Sequence, residues 1–260
     1  MKIREFTALY EAYCPKDLAM EGDPVGLQVG SLDKEVKKVL VTLDIREQTV
    51  SEAIEQGVDM IVAKHPIIFR PLANLTDEDN QEKLVLDLVR ADIAVYISHT
   101  NIDIVSDGLN DWFCDLLGIT ETSYLVETKE GYGIGRIGNV KKQTLKDFTE
   151  KFKSVFDMER LRLITYDHSL NQKISQVAIC GGSGGKFWTD ALSKGADLYI
   201  TADVYYHAGH DMLSTSLIGL DPGHYLEHLF VPKVAEKLKS FDTNVEIIES
   251  KANTNPFYDI

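Results

Sequence analysis

Residues 51–65, SEAIEQGVDMIVAKH, have the pattern of a helix, a glycine turn and a buried strand. They align without a gap on residues 189–203, TDALSKGADLYITAD, and Asp59 then matches Asp197. A helix, a Gly-x-Asp turn and a strand also form a common αβ connection, so a single match could arise by chance. A second match at the same offset is needed before the pattern indicates a repeat.

The second match lies just upstream of the first. The same offset places VLVTLD at 39–44 on VAICGG at 177–182. Two segments that share one offset favour an internal duplication, in which each half reads strand, helix, turn, strand. We therefore predict pseudo-duplicated halves at approximately 1–125 and 126–260 within a single domain.

Short β-branched runs alternate with segments of helical period along the rest of the chain. This alternation predicts an α/β fold with helices covering the sheets. The predicted strands are 37–45, 58–65, 93–100, 132–138, 161–167, 175–180, 196–203, 216–221 and 244–250, and the main predicted helices are 46–56, 79–90, 107–117, 144–157, 186–194, 205–214 and 225–240.

The composition excludes several classes of function. A net charge of −14 argues against a nucleic-acid partner, because phosphate binding depends on clusters of Lys and Arg. The 3 cysteines are widely spaced, which fits neither a disulfide framework nor a CxxC metal motif and favours a reducing cytoplasm. The sequence has no uninterrupted run of about 18 apolar residues, so it does not predict a membrane span.

The predicted strand ends carry most of the histidines. The segments that follow these strands contain KHP, SHTNID, GGSGG, TADVYYH and GLDPGHYLEH, which together hold every histidine except His168 and His210. Ligand sites of parallel sheets form beyond the carboxyl ends of the strands. The four side chains best suited to bind a metal are His65, Asp103, His224 and Glu227. Imidazole and carboxylate together suit Zn, Fe, Mn or Ni, whereas a lone histidine in such a loop is more often simply hydrogen-bonded.

A glycine-rich loop, CGGSGGKF at 180–187, follows one of these strands. The backbone N–H groups of Gly181, Gly182, Ser183 and Gly184 could hold a phosphate at the start of the next helix. The loop matches neither GxxxxGK[ST] nor GxGxxG in full, so a tight turn is the alternative interpretation.

Together these motifs resemble the GTP cyclohydrolase I type 2 homologue family, also called the NGG-interacting-factor-three-like family. The resemblance rests on DPVGLQVG, HPIIF, SHTNIDIVSDGLNDWFCDLLG, GGSGG, GADLYITADVYYH and DPGHYLEHLF, which span almost the whole chain. It implies two similar, interlocked α/β halves with a dinuclear metal site in the cleft between them, and a homohexameric ring. A chain of 260 residues would be the short form that lacks the inserted domain of some members.

The resemblance also implies a ligand set. Carried over motif by motif, the ligands are His65, Asp103, His224 and the acidic residue that follows His224. Members differ in whether that acidic residue lies three or four positions later. Here the third position is Glu227 and the fourth is His228, so we predict Glu227 as the ligand and leave His228 as the alternative.

Lys64 departs from the family pattern. The family usually has His-His-Pro where this chain has Lys64 and His65 before the proline. A protonated ammonium cannot bind a metal ion and repels one, so the second ion loses a ligand unless Lys64 is neutral. The resemblance therefore implies one or two divalent cations per subunit.

The function implied by the resemblance is that of a metal-dependent hydrolase. Metal-bound water would attack a nucleotide-like substrate, with GTP cyclohydrolase as the named activity. His99 or Glu227 would transfer protons, and the GGSGG backbone with Lys64 would bind the triphosphate. One alternative is a metal-binding or regulatory interaction protein without turnover; another is a metal-dependent phosphatase or nuclease of nucleotides.

Overall fold

The structure is a computed structural model that describes residues 1–258. The chain divides into two compact units. The first unit comprises Met1–Ile102 and the segment that begins at His228, and the second comprises Asp103–Glu227. Both units combine one sheet with α-helices, so the predicted α/β class is confirmed.

The elements are numbered in chain order. The strands are β1 (Gly26–Val29), β2 (Lys38–Thr42), β3 (Met60–Ala63), β4 (Ala94–Ile97), β5 (Thr120–Lys129), β6 (Tyr132–Thr144), β7 (Arg162–Ile164), β8 (Lys173–Ile179), β9 (Leu198–Ile200), β10 (Ile218–Asp221) and β11 (Glu246–Glu249). The helices are α1 (Ile3–Tyr13), α2 (Glu47–Gln56), α3 (Asn80–Arg90), α4 (Thr100–Ile104), α5 (Leu109–Leu117), α6 (Leu145–Phe156), α7 (Trp188–Ser193), α8 (Tyr206–Leu213) and α9 (Phe230–Lys239).

The first unit is built on a sheet with the strand order β1-β4-β3-β2-β11. Strands β4, β3, β2 and β11 are parallel, and β1 runs antiparallel to β4. Every residue of β3 and β4 is buried, as expected for parallel strands with both faces covered. Helix α2 ends at Gly57 in the left-handed conformation, and the Asp79 side chain caps α3 by accepting from two backbone N–H groups.

The second unit is built on a mixed sheet with the order β5-β6-β8-β9-β10-β7. Its parallel centre, β8-β9-β10, is flanked by antiparallel strands on both sides. The carboxyl ends of β8, β9 and β10 therefore lie at one edge of the sheet, which is where ligand-binding residues collect in parallel sheets.

The parallel pairs β2–β3 and β8–β9 have the same register. In the first unit Val39 is paired with Met60, and in the second Val177 is paired with Leu198. Both residues of the second pair lie 138 positions after those of the first, which is the offset of the sequence repeat. A duplication would produce this match. The bounds of the halves, 1–125 and 126–260, stay a prediction.

The aspartate of each Gly-x-Asp turn makes the same kind of contact in both units. Asp59 Oδ2 accepts hydrogen bonds from the backbone N–H groups of Lys37 and Lys38, at 2.8 and 3.0 Å. Asp197 Oδ2 accepts from the N–H groups of Ser175 and Gln176, at 2.7 and 2.9 Å. Each carboxylate thus ties the start of one strand to the turn before its neighbour.

The predicted strands are all present, most of them shorter than predicted. Strands β1 and β5 and helices α1 and α4 were not predicted from the sequence. Strand β5, which forms a hairpin with β6, was missed because it is exposed along most of its length and shows little apolar alternation. The predicted helix at 225–240 is in fact a 3₁₀-helix, His224–Leu229, followed by α9.

Within residues 1–258, no helix combines the length and the apolar character that a membrane span requires.

We expect Asp59→Ala and Asp197→Ala each to lower the free energy of unfolding by about 1–3 kcal/mol, because each leaves two backbone N–H groups without their acceptor. Urea denaturation measures this loss. Glu55→Ala, at an exposed position of α2, serves as the control and should change stability by less than about 0.5 kcal/mol. Equal stability of all three variants would contradict the assigned role of the turn aspartates.

Candidate functional site

His65 follows β3 and is held by an aspartate that follows the neighbouring strand β2. The His65 Nδ1–H group donates to Asp44 Oδ1 at 2.7 Å. Burial alone would raise the pKa of Asp44, but the hydrogen bond and charge of His65, together with Thr254, hold that pKa below its ordinary value. A carboxylate on Nδ1 fixes the tautomer and leaves Nε2 as the donor atom for a metal, which is the usual arrangement behind a histidine ligand.

His224 is held in the same way in the second unit. It follows β10, and its Nδ1–H group donates to Asp203 Oδ2 at 2.6 Å. Asp203 itself lies shortly after β9, the strand next to β10. His65 and His224 therefore have the same arrangement: an aspartate that follows the adjacent strand orients an imidazole that follows its own strand.

Glu227 lies against His224 within the second unit. Its Oε2 atom is 3.2 Å from His224 Nε2, and its side chain is 1% exposed. The two residues share the 3₁₀-helix His224–Leu229, in which side chains three apart lie on the same face. His228 lies four positions after His224, so it does not share this face. The 3₁₀-helix therefore favours the predicted Glu227 over His228 as the neighbour of His224.

The two carboxylates change the protonation of His224. Glu227 contributes most, and with Asp203 it outweighs the effect of burial and raises the pKa of His224 to about 9. A histidine must lose this proton from Nε2 to bind a metal ion. Metal binding at His224 is therefore in competition with protons, and we expect it to weaken as the pH falls.

His99 forms a third pair of this type. Its Nδ1–H group donates to Asp23 Oδ1 at 2.6 Å, and the same carboxylate accepts from the Thr100 backbone N–H at 3.0 Å. Burial, with the charges of Lys64 and His65, lowers the pKa of His99 despite the opposing effect of Asp23. The imidazole is therefore neutral at physiological pH, and its ring centroid lies 5.9 Å from that of His65. A neutral imidazole can accept a proton, which fits the predicted role of His99.

Lys64 and Asp103 are both buried. The Lys64 side chain is 1% exposed, and its charge acts on His99. Asp103 is 5% exposed and lies in α4, where its backbone carbonyl accepts from Asn110 Nδ2. A substrate contact for Lys64 and a ligand role for Asp103 stay predictions.

The glycine-rich loop is folded back on its own unit. The Gly181 N–H donates to Asn110 Oδ1, the Gly184 N–H donates to Thr201 Oγ1, and the Ser183 hydroxyl donates to Asp203. These groups thus have partners inside the protein. The predicted phosphate contact of Gly181, Gly182, Ser183 and Gly184 stays a prediction.

Gly182 has a specific reason to be glycine. Its φ is +62°, and a Cβ atom at this position would lie 3.0 Å from Glu227 Oε1 and 3.6 Å from His224 Nε2. The loop therefore passes directly against the His224–Glu227 pair, and a side chain at Gly182 would crowd the Glu227 carboxylate while making ordinary contact with His224 Nε2.

The candidate metal ligands among the described residues are His65 in the first unit and His224 with Glu227 in the second. Sequence reasoning named all three. It missed Asp44 and Asp203, the aspartates behind the histidines. The signal was present, because both residues close strand segments of the repeat, VLVTLD and LYITAD, but only the fold shows which histidine each one contacts.

We expect Asp44→Asn to weaken divalent-metal binding by roughly 10–100-fold, because the neutral amide supports the His65 imidazole less well than the carboxylate does. Competition against a chromophoric chelator measures the affinity. Asp33→Asn, whose side chain is 77% exposed, is the matched control. An Asp44→Asn protein that binds metal as tightly as the control would show that this hydrogen bond does not support a ligand.

Gly182→Ala should weaken metal binding, since its methyl group crowds the Glu227 carboxylate and forces it to shift. It should also lower the free energy of unfolding by about 1 kcal/mol because of its positive φ. Gly57→Ala separates the two effects, as Gly57 has the same φ of +62° and no atom within 4 Å of an added Cβ. Both variants should lose stability in urea denaturation, but only Gly182→Ala should lose metal affinity. If both retained the wild-type affinity, the loop would have no bearing on the ligands.

Comparison with known proteins agrees with the resemblance of the motifs. The family model Duf34/NIF3 (NGG1p interacting factor 3) matches residues 1–256. A protein of Lactococcus lactis subsp. lactis is 62% identical, with the alignment covering 100% of both chains, and one of Streptococcus pneumoniae is 53% identical over 100% of both. Both are named GTP cyclohydrolase 1 type 2 homolog.

A solved structure shows the same fold. The crystal structure of a Bacillus cereus protein related to NIF3 has a TM-score of 0.94 and 28% sequence identity, and it covers 100% of this chain and 99% of its own. The match of the family model over nearly the whole chain, with close relatives of equal extent, leads to one conclusion: this chain belongs to the DUF34/NIF3 family.

Proposed function

We propose that the protein is a metal-dependent hydrolase that acts on a nucleotide-like substrate, with His65, His224 and Glu227 as ligands of a divalent cation. The observation that carries the proposal is the repeated aspartate–histidine pair. Asp44 holds Nδ1 of His65 and Asp203 holds Nδ1 of His224, so each imidazole keeps Nε2 for a metal.

The donor set fits a divalent cation. Two imidazoles and one carboxylate are the ligands of many catalytic metal sites, which leave a further position for water or substrate. Glu227 is 1% exposed, and the cost of burying its charge falls when a cation or a protonated His224 lies beside it. Zn, Fe, Mn and Ni all accept such nitrogen and oxygen ligands, and the donor set does not select among them.

A bound cation would supply Lewis-acid chemistry and activate water for attack. The remaining work would fall to residues of this chain. His99, kept neutral and oriented by Asp23, is suited to accept a proton at Nε2 and to return it to a leaving group.

The names of the relatives support GTP as the first substrate to test. The relatives from Lactococcus lactis and Streptococcus pneumoniae carry the name GTP cyclohydrolase 1 type 2 homolog. Attack of water on the purine ring of GTP would release formate, which can be assayed. The homohexameric ring, the nucleotide substrate, the absence of a nucleic-acid partner and the cytoplasmic location stay predictions.

One observation favours a second function, that of a metal-binding or regulatory protein without turnover. Lys64 is a cation that is 1% exposed and adjacent to the ligand His65. A buried ammonium there opposes the binding of a second ion, so a two-ion mechanism would lack part of its machinery.

The two functions are separated by an activity measurement. Metal-free protein is loaded in turn with Zn, Fe, Mn and Ni and incubated with GTP. Formate release that is lost in His224→Ala is the expected result. Phosphate release without formate would assign the protein to the phosphatases instead. No product from any nucleotide with any of the four ions, in a protein that binds metal stoichiometrically, would contradict hydrolase function and leave the metal-binding role.

A further inference from the structure

The chain does not end at β11 but returns toward the ligand His65. We call residues 250–255 the C-terminal strap. Its first anchor is Glu52 in α2, whose carboxylate accepts from the Ser250 hydroxyl at 2.5 Å and from the Lys251 backbone N–H at 2.9 Å. Its second anchor is Asp44, which accepts from the Thr254 hydroxyl at 2.6 Å. All of these residues belong to the first unit.

The second anchor uses the carboxylate that orients His65. Asp44 Oδ1 accepts from His65, and Asp44 Oδ2 accepts from Thr254. The terminal torsion of an aspartate is broad, so a single hydrogen bond leaves the carboxylate free to rock. With both oxygens engaged, the carboxylate is held in one plane and Oδ1 stays aimed at Nδ1 of His65.

The other aspartate–histidine pairs also include a hydroxyl donor. Asp23 accepts from His99 at Oδ1 and from the Thr100 hydroxyl at Oδ2, as Asp44 does with its two partners, whereas Asp203 accepts from both His224 and the Ser183 hydroxyl at Oδ2. Thr100 is the immediate neighbour of its histidine. Thr254 is different, since it lies 210 residues from Asp44 and reaches it only because the strap is in place.

We propose that Thr254 is a positioning residue of the metal site: its hydroxyl fixes Asp44, Asp44 fixes His65, and the C-terminal strap is thereby part of the metal-binding apparatus. The proposal rests on the function proposed above for His65. It assigns to the strap a role in metal affinity beyond its contribution to folding.

The test compares Thr254→Val with Thr254→Ser. Valine keeps the shape of threonine and removes the hydroxyl, whereas serine keeps the hydroxyl. Thr149→Val, on the outer side of α6 in the second unit, is the matched control, because its hydroxyl donates only to the Lys146 carbonyl in its own helix. Two quantities are measured: the affinity for Zn²⁺ by competition with a chromophoric chelator, and the ¹⁵N chemical shift of His65 Nδ1 in metal-free protein.

Thr254→Val should bind Zn²⁺ about threefold or more weakly than wild type, a smaller loss than the roughly 10–100-fold that follows from losing a direct partner of a ligand. Its His65 Nδ1 resonance should shift toward the value of a freer imidazole. Thr254→Ser should restore both values, and Thr149→Val should change neither. If Thr254→Val only destabilised the fold, its melting temperature would fall, and Thr254→Ser would not restore the Zn²⁺ affinity and the His65 resonance.

Wild-type affinity in Thr254→Val would overturn the positioning role. If wild-type protein bound no metal, the proposed function would fail, and the resonance of His65 would decide the positioning role by itself. An unchanged resonance in Thr254→Val would then overturn it.

Discussion

The candidate metal site depends on one kind of hydrogen bond, which the Nδ1–H group of a histidine after a strand donates to the carboxylate of an aspartate. Asp44 makes it with His65, and Asp203 makes it with His224. Without the aspartate, either ring could flip or change tautomer, and Nε2 would not be held ready for a metal ion. The role assigned to Thr254 follows from the first of these bonds, because its hydroxyl donates to Asp44.

The fold supplies the geometry for these bonds through a repeated αβ unit. In each unit, adjacent parallel strands bring their carboxyl ends to the same edge of a sheet, so residues far apart in sequence meet there. The shared register of Val39–Met60 and Val177–Leu198 indicates that one structural solution is used in both units. The turn aspartates stabilise the scaffold, while the residues that follow the carboxyl ends of the strands carry the chemistry.

The sequence predicts the scaffold well because buried parallel strands leave a strong apolar signal. It also predicts His65, His224 and Glu227, since histidine and glutamate at strand ends are uncommon and the motifs resemble one family. It does not reveal the partners of those residues. Asp44 and Thr254 are separated by 210 positions, and no local pattern relates them. The hairpin strand β5 is exposed along most of its length, so it carries no apolar signal of the kind that marks β3 and β4.

The metal content of the purified protein decides whether the proposed ligands bind a divalent cation. Elemental analysis of wild type beside His65→Ala, His224→Ala and Lys64→His gives the number of ions per chain. We predict about one divalent ion in wild type, as expected for a site with one set of nitrogen and oxygen ligands, and a large loss in either alanine variant. Lys64→His should raise the content toward two ions, because it removes a buried positive charge and adds a ligand. Wild-type protein without bound metal, or alanine variants with the wild-type content, would contradict the account.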